Sequence, residues 1–171
     1  MSDALIAAIS VLVDGDARTH LGGTITHHTN GEDRRVSFTA DGRTGAWEYK
    51  IGRLTGSRDD QGNVVERIGG RGEDMVGNSD RVPFELQLLF PLTMLIWDRA
   101  GDEWRMDSAI EDGDHVTVHL VHREQPQCTA ELTVDTARRL ATRFSTPTDT
   151  FTLNVSDDAT APEQSFASYE S

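Results

Sequence analysis

Between Leu21 and Val155 apolar side chains recur at every second residue, with one long interruption. That rhythm commits a chain to half-buried antiparallel strands. Leu21, Gly23 and Ile25 share one face, opposite Thr24 and Thr26, and Asn30-Gly31 supplies a hairpin turn whose twist matches the strands it joins. Val36, Phe38 and Ala40 then alternate with Arg35, Ser37 and Thr39. After Asp41-Gly42, Trp47, Tyr49 and Ile51 alternate with Ala46, Glu48 and Lys50. Two further short strands are expected around the turn Asp59-Asp60-Gln61-Gly62-Asn63, and the glycine-rich, charged stretch 69–80 reads as a loop. Past Ala100-Gly101-Asp102 the alternation returns. Trp104, Met106, Ser108 and Ile110 are placed on one face. Val116, Val118 and Leu120 follow, then Ala130, Leu132 and Val134, then Leu140, Thr142 and Phe144, and last Phe151, Leu153 and Val155.

The interruption is Pro83–Trp97. Ten large apolar residues stand in this stretch, too densely for a strand with one wet face. Pro83 suits the first turn of a helix, Ser79 or Asp80 would cap it, and Pro91 would kink or split it. Burial is worth roughly 1.5–3 kcal/mol for each large apolar side chain, so the segment must lie on the apolar face of the sheet. The expected fold is therefore α+β, mainly β: a curved antiparallel sheet, or incomplete barrel, with a short N-terminal helix and an apolar helical lid. Ala4 to Val13 supplies the first helix, capped by Ser2 or Asp3 and stopped near Gly15. It is preceded by an acid rather than a base and is too short to span a bilayer, so it does not read as a signal peptide, and a cytoplasmic location is expected. Residues 1–155 are taken as one β-rich domain and 156–171 as an acidic tail, disordered or loosely docked through Phe166 and Tyr169.

Charge narrows the partners. A net charge of −13 repels nucleic acid and anionic membranes, and neither is expected as a partner. The mean hydropathy is low, at −0.47. Lys50 is the only lysine, so arginine carries nearly all the positive charge. Cys128 is the only cysteine, which excludes an intramolecular disulfide and a cysteine-built zinc site, and its setting beside Thr129–Leu132 is that of a small strand residue.

The order of elements, a short helix, a meander, an apolar helical segment and a second meander, resembles the lipoprotein-carrier fold of the LolA and mycobacterial LppX/LprG families. Locally, Ala130-Glu131-Leu132-Thr133-Val134-Asp135 followed by Arg139-Leu140-Ala141-Thr142-Arg143-Phe144 is similar to the late hairpin of those families. The resemblance implies a curved, incomplete barrel closed by helices and able to hold acyl chains. It carries no diagnostic motif, and neither the secretion signal nor the lipidation cysteine of those families is expected here. No functional residue is transferred.

Three groups of side chains are candidate sites. His115 and His119 point to the same face of a strand about 13 Å apart at ~3.3 Å per residue, and His122 points to the other, so they cannot share an ion among themselves. With His20, His27 and His28 they read as exposed residues on a polar sheet face, and no metal or other cofactor is expected. Of the plentiful acids Glu85 is the most notable, beside the apolar segment at a helix start; no hydrolase elbow, phosphate loop or dinucleotide fingerprint is present and no catalytic residue is assigned. The third group, Phe38, Trp47, Tyr49, Phe84, Leu88, Phe90, Met94, Trp97, Trp104 and Met106, would line a space between sheet and lid. A ligand cavity and an ordinary core use the same residues, and both stay open. The leading expectation is a non-enzymatic binding protein holding a hydrophobic or amphipathic small molecule between sheet and helix. The alternative is a protein-interaction or regulatory module with a filled core, using a sheet face or an edge strand for a partner or an oligomer.

Overall fold

The structure is a computed structural model that describes residues 2–69, 75–78 and 82–156. A helix, α1 (Asp3–Val13), precedes eleven strands: β1 (Leu21–Thr29), β2 (Glu32–Asp41), β3 (Ala46–Ile51), β4 (Leu54–Arg58), β5 (Asn63–Ile68), β6 (Met75–Asn78), β7 (Trp104–Asp112), β8 (His115–His122), β9 (Thr129–Asp135), β10 (Leu140–Ser145) and β11 (Asp149–Val155). They form one antiparallel sheet in the order β6-β5-β4-β3-β2-β1-β11-β10-β9-β8-β7. Two meanders are thus joined where the first strand pairs with the last, from Gly23 opposite Val155 to Thr29 opposite Asp149. The sheet does not close, and β6 and β7 are its edges. No described helix is long and apolar enough to cross a membrane.

Local chemistry sets most of the turns. Asn30 and Gly31 both have positive φ, 50° and 79°, as the predicted β1–β2 hairpin requires. Strand β6 lies inside the stretch expected to be a loop; its residues Met75-Val76-Gly77-Asn78 pair with Glu66 to Asn63, and a four-residue edge strand is too short to announce itself by periodicity. The rest of that stretch, and the tail from residue 157 with Phe166 and Tyr169, lie outside the described residues.

One face of the sheet carries the core. Ile25, Val36, Val116, Val118, Leu120, Leu132 and Val134 are fully buried on it. Helix α1 packs over β7 to β10 with Leu5, Ala8, Val11 and Leu12, one helical stripe. Its start is capped as expected, the Ser2 Oγ accepting the Leu5 N–H at 3.3 Å. Its end is closed by Arg18, a residue 2% exposed whose two terminal nitrogens donate to the Val11 and Leu12 carbonyls at 3.0 and 3.1 Å. Burial holds the Arg18 pKa below its ordinary value, opposed by nearby Asp14.

The apolar segment covers the sheet beside α1, but it is not the expected helix. It forms two short 3-10 turns, Phe84–Leu86 and Pro91–Thr93, joined by irregular backbone. Pro91 has no N–H to continue a helix, and other donors satisfy the carbonyls that an α-helix would have used. The Trp97 indole donates to the Pro91 carbonyl at 2.9 Å, Arg99 donates to Leu92 and Met94 at 3.1 and 2.7 Å, and the Trp104 N–H donates to Leu95 at 3.0 Å. Half of its ten large apolar side chains still go inward: Leu86, Leu88, Leu89, Met94 and Ile96 are each at most 2% exposed.

Strand β7 corrects a second expectation. A bulge between Met106 and Ser108 shifts its pairing with β8, so Met106 faces Leu120 while Ser108 faces His119. One extra residue, Asp107, reverses the alternation. Trp104 and Met106 therefore lie on the core face, and Ser108 and Ile110 on the other, where Ile110 is 61% exposed.

Candidate functional site

The ten proposed lining residues take different places in the structure. Phe38, Trp47, Tyr49, Leu88, Met94 and Trp104 are buried members of the common core, packed with α1 and the sheet. Phe90, Trp97 and Met106 are half-buried against that core, and Phe84 is exposed. Within the core, Tyr49 lies across the sheet, its ring over Gly56 of β4 and its hydroxyl donating to Glu66 Oε1 of β5 at 2.8 Å. A Cβ on Gly56 would stand 2.3 Å from Tyr49 Cε1, so the glycine is required by this close approach. Burial, the hydrogen bond and the Glu66 charge raise the Tyr49 pKa well above its usual value, which keeps the hydroxyl a donor.

The histidines are spread rather than clustered. His28 pairs with Asp33 at 2.6 Å, His119 with Glu131 at 3.6 Å and His115 with Asp135 at 4.0 Å. No group of three or more potential ligands forms among the described residues. His27 departs from the exposed setting expected for it. It lies on the core face of β1, 8% exposed, stacked on Phe151 at 4.1 Å with Phe84 edge-on at 6.5 Å. Its Nε2 meets Asp149 Oδ1 at 2.8 Å, while Nδ1 is buried without a partner among the described residues. The Thr148 hydroxyl and then the His27 ring hold the Asp149 pKa down against its desolvation. The sequence did carry a signal for this: position 27 has the same parity as Ile25, two residues earlier on the core face.

A concave feature does form, at the β7 edge of the sheet. Ile9 of α1, Ile96, Trp97 and Met106 give a groove of about 370 Å³ its apolar walls, with Asp98, Arg105 and Asp107 around them. Trp97 and Met106 are the two proposed lining residues that reach it. The loop beneath is fixed by Asp102, a buried carboxylate that accepts the Trp97 N–H at 2.7 Å, the Arg99 N–H at 3.1 Å and Arg99 Nε at 3.4 Å. Burial opposes the charge on Asp102, but these donors outweigh it and hold its pKa below the usual carboxylate value. Helix α1 contributes more than Ile9. Ile6 and Val13, 51% and 47% exposed, fall three residues before and four after it, so an apolar stripe of the helix faces outward beside the groove. Leu92 and Leu95, at 51% and 40%, add exposed apolar surface on the segment that forms the groove's far wall.

The first residues of β7 are covered by that same segment, through an antiparallel bridge between Trp97 and Arg105. Beyond it, Asp107–Asp112 has no described strand on its outer side. Among the described residues, the groove therefore opens directly onto an unpaired strand edge.

No protein-family model and no curated protein matches the chain. Among solved structures it is similar to the crystal structure of MucB, at 16% identity and a TM-score of 0.42 over 88% of this chain and 57% of that one. It is likewise similar to MucB in complex with MucA(peri), at 17% identity and a TM-score of 0.37 over 88% and 53% of the two chains. A Pseudomonas aeruginosa MucA/MucB complex gives 17%, 0.37, 88% and 55%. The chain spans just over half the length of these structures. A similarity at this level establishes no shared activity or partner.

Proposed function

We propose that this protein is a protein-interaction module, docking a partner where the outer stripe of α1, the apolar groove and the open edge of β7 meet. The observation that carries this reading is their adjacency: Ile9 belongs to both the helix and the groove, and Met106 to both the groove and the strand. An extended backbone laid along β7 completes hydrogen bonds that the sheet leaves open, and apolar walls beside it give side-chain selectivity, the logic of strand addition. Proteins rarely leave apolar surface exposed in contiguous patches without a use for it. The reading in which a small apolar molecule sits between sheet and lid has less support, because Trp47, Leu88 and Met94 are buried members of the common core.

The test places a photo-crosslinking residue at position 9 or 106, with position 24 on the opposite sheet face as control. A defined protein captured from the native host at 9 and 106 but not at 24, and released when Met106→Glu charges the groove, is the expected result. One equivalent of a fluorescent fatty acid binding saturably, with chemical-shift changes centred on Trp47 and Leu89, would overturn the proposal in favour of ligand carriage.

A further inference from the structure

We infer that the β7 edge selects a basic, extended segment of another protein, with one large apolar side chain anchored in the groove; this rests on the docking reading above. The free stretch Asp107–Asp112 presents three carboxylates, Asp107, Glu111 and Asp112, and among the described residues none of them has a cation within ion-pair distance. Asp98 and Glu103 flank the same edge. Against these five acids stand Arg105 and Arg123, and Arg123 is already paired with Asp98 at 3.3 Å. The whole chain adds a field of the same sign, at a net charge of −13.

These charges decide between occupants. A second copy pairing at β7 would set the Asp107, Glu111 and Asp112 carboxylates against their own counterparts, and like charges across a strand pair are destabilising. Acidic residues and a bulge on an edge strand suppress self-pairing. They do not suppress pairing with a strand that brings lysine or arginine, which gains on-rate and specificity from the same field. Six residues of strand run about 20 Å at ~3.3 Å per residue, room for a partner strand of similar length. The groove adjoins only the Met106 end of that stretch, so the apolar anchor belongs at one end of the partner segment rather than at its centre.

The probe is a synthetic decapeptide with a terminal leucine followed by alternating lysine and threonine, compared with its glutamate counterpart and titrated into the full chain by NMR. The expected result is binding of the lysine peptide alone. Amide shifts should fall on Met106 and Ala109–Asp112, and affinity should drop at least tenfold between 50 and 300 mM salt. Asp107→Lys/Glu111→Lys/Asp112→Lys, checked for an unchanged melt, should lose at least tenfold in affinity, and Met106→Glu should weaken it as well. Equal binding of the two peptides, or shifts confined to other strands, overturns the inference. A peptide sensitive to Met106→Glu but indifferent to the triple charge reversal overturns the basic preference and leaves the docking surface standing. Insensitivity to both variants removes both. A concentration-dependent dimer that the triple reversal abolishes would show that the edge serves a second copy, and would also overturn it.

Discussion

Asp102→Ala tests whether the groove is held by the polar contacts beneath it. The carboxylate is 8% exposed and accepts two backbone N–H groups, those of Trp97 and Arg99. Hydrogen bonds to a charged group are worth about 1.5–3 kcal/mol each, which bounds the loss at roughly 3–6 kcal/mol. Arg99 is exposed, so its N–H finds water once the carboxylate is gone, and its half-exposed guanidinium arm adds little. The lower end of the range, about 3 kcal/mol, is therefore expected. For a chain of this length that is a fall in Tm of roughly 6–12 °C. Asp102→Asn keeps one acceptor oxygen and should lose about half as much. The pH dependence has a definite sign. A carboxylate held below its unfolded value of about 3.9 contributes stability that is present above that pH and lost as the pH falls through the folded pKa. Urea unfolding from pH 7 to pH 2.5 should thus show a steeper acid loss in the wild type than in Asp102→Asn. A loss under 1 kcal/mol for Asp102→Ala at pH 7, or parallel acid profiles, would refute the assignment.

Two further substitutions address the frame around the site. Gly56→Ala puts a methyl group within 2.3 Å of the Tyr49 ring and should cost about 1–3 kcal/mol by overpacking, with the Tyr49 resonances displaced and its hydrogen bond to Glu66 broken; unchanged stability would refute the close packing. Arg18→Met removes the donors to the Val11 and Leu12 carbonyls and should cost about 1–3 kcal/mol, with amide exchange accelerating first in the last turn of α1.

The sheet was legible because period-two alternation is enforced wherever one face of a strand is buried and the other is wet. The hairpins from Leu21 to Ile51 and the strands from His115 to Asp135 follow it. In β10 a second bulge, between Ala141 and Arg143, puts Ala141 rather than the expected Thr142 on the core face. What the alternation concealed is where it breaks. Asp107 adds one residue to β7, and nothing in the apolar spacing of Trp104, Met106 and Ile110 distinguishes a bulged strand from a regular one. Yet the bulge puts Met106 in the groove and Ile110 on the far face. Pro83–Trp97 was legible as buried but not as irregular, because its composition fixes where it goes and its distant donors fix its shape. Arg99, Asp102 and Trp104 lie downstream of the segment whose backbone they satisfy, and no local propensity reports them. The groove inherits both difficulties. Ile9 comes from a helix, Trp97 from an isolated bridge at the end of the apolar segment and Met106 from a strand, and the Trp97–Arg105 bridge together with the packing of α1 over β7 brings them together.

His27 shows how a polar residue on the core face can cost as much as it gives, and a pair of substitutions separates the two. Its ring stacks on Phe151 and meets Phe84 edge-on, so His27→Ala should lose about 3 kcal/mol, in the range of aromatic truncations. His27→Phe keeps an aromatic ring and removes two polar terms of opposite sign. A buried nitrogen without a partner costs about 1–3 kcal/mol, and replacing it with carbon recovers that. The hydrogen bond to Asp149 is lost, but that carboxylate is 27% exposed and keeps the Thr148 hydroxyl and water, so the loss is about 1 kcal/mol. His27→Phe should therefore fold within about 1 kcal/mol of the wild type. Both substitutions should raise the Asp149 pKa toward its unfolded value. They shrink the stability that Asp149 contributes above pH 4 and loses as the pH falls through its folded pKa, a change that carboxyl NMR titration reads directly. If His27→Phe costs as much as His27→Ala, the ring is held by its nitrogens rather than by its faces. The core of this sheet would then depend on a polar contact at β1 and β11, the one seam that joins its two meanders.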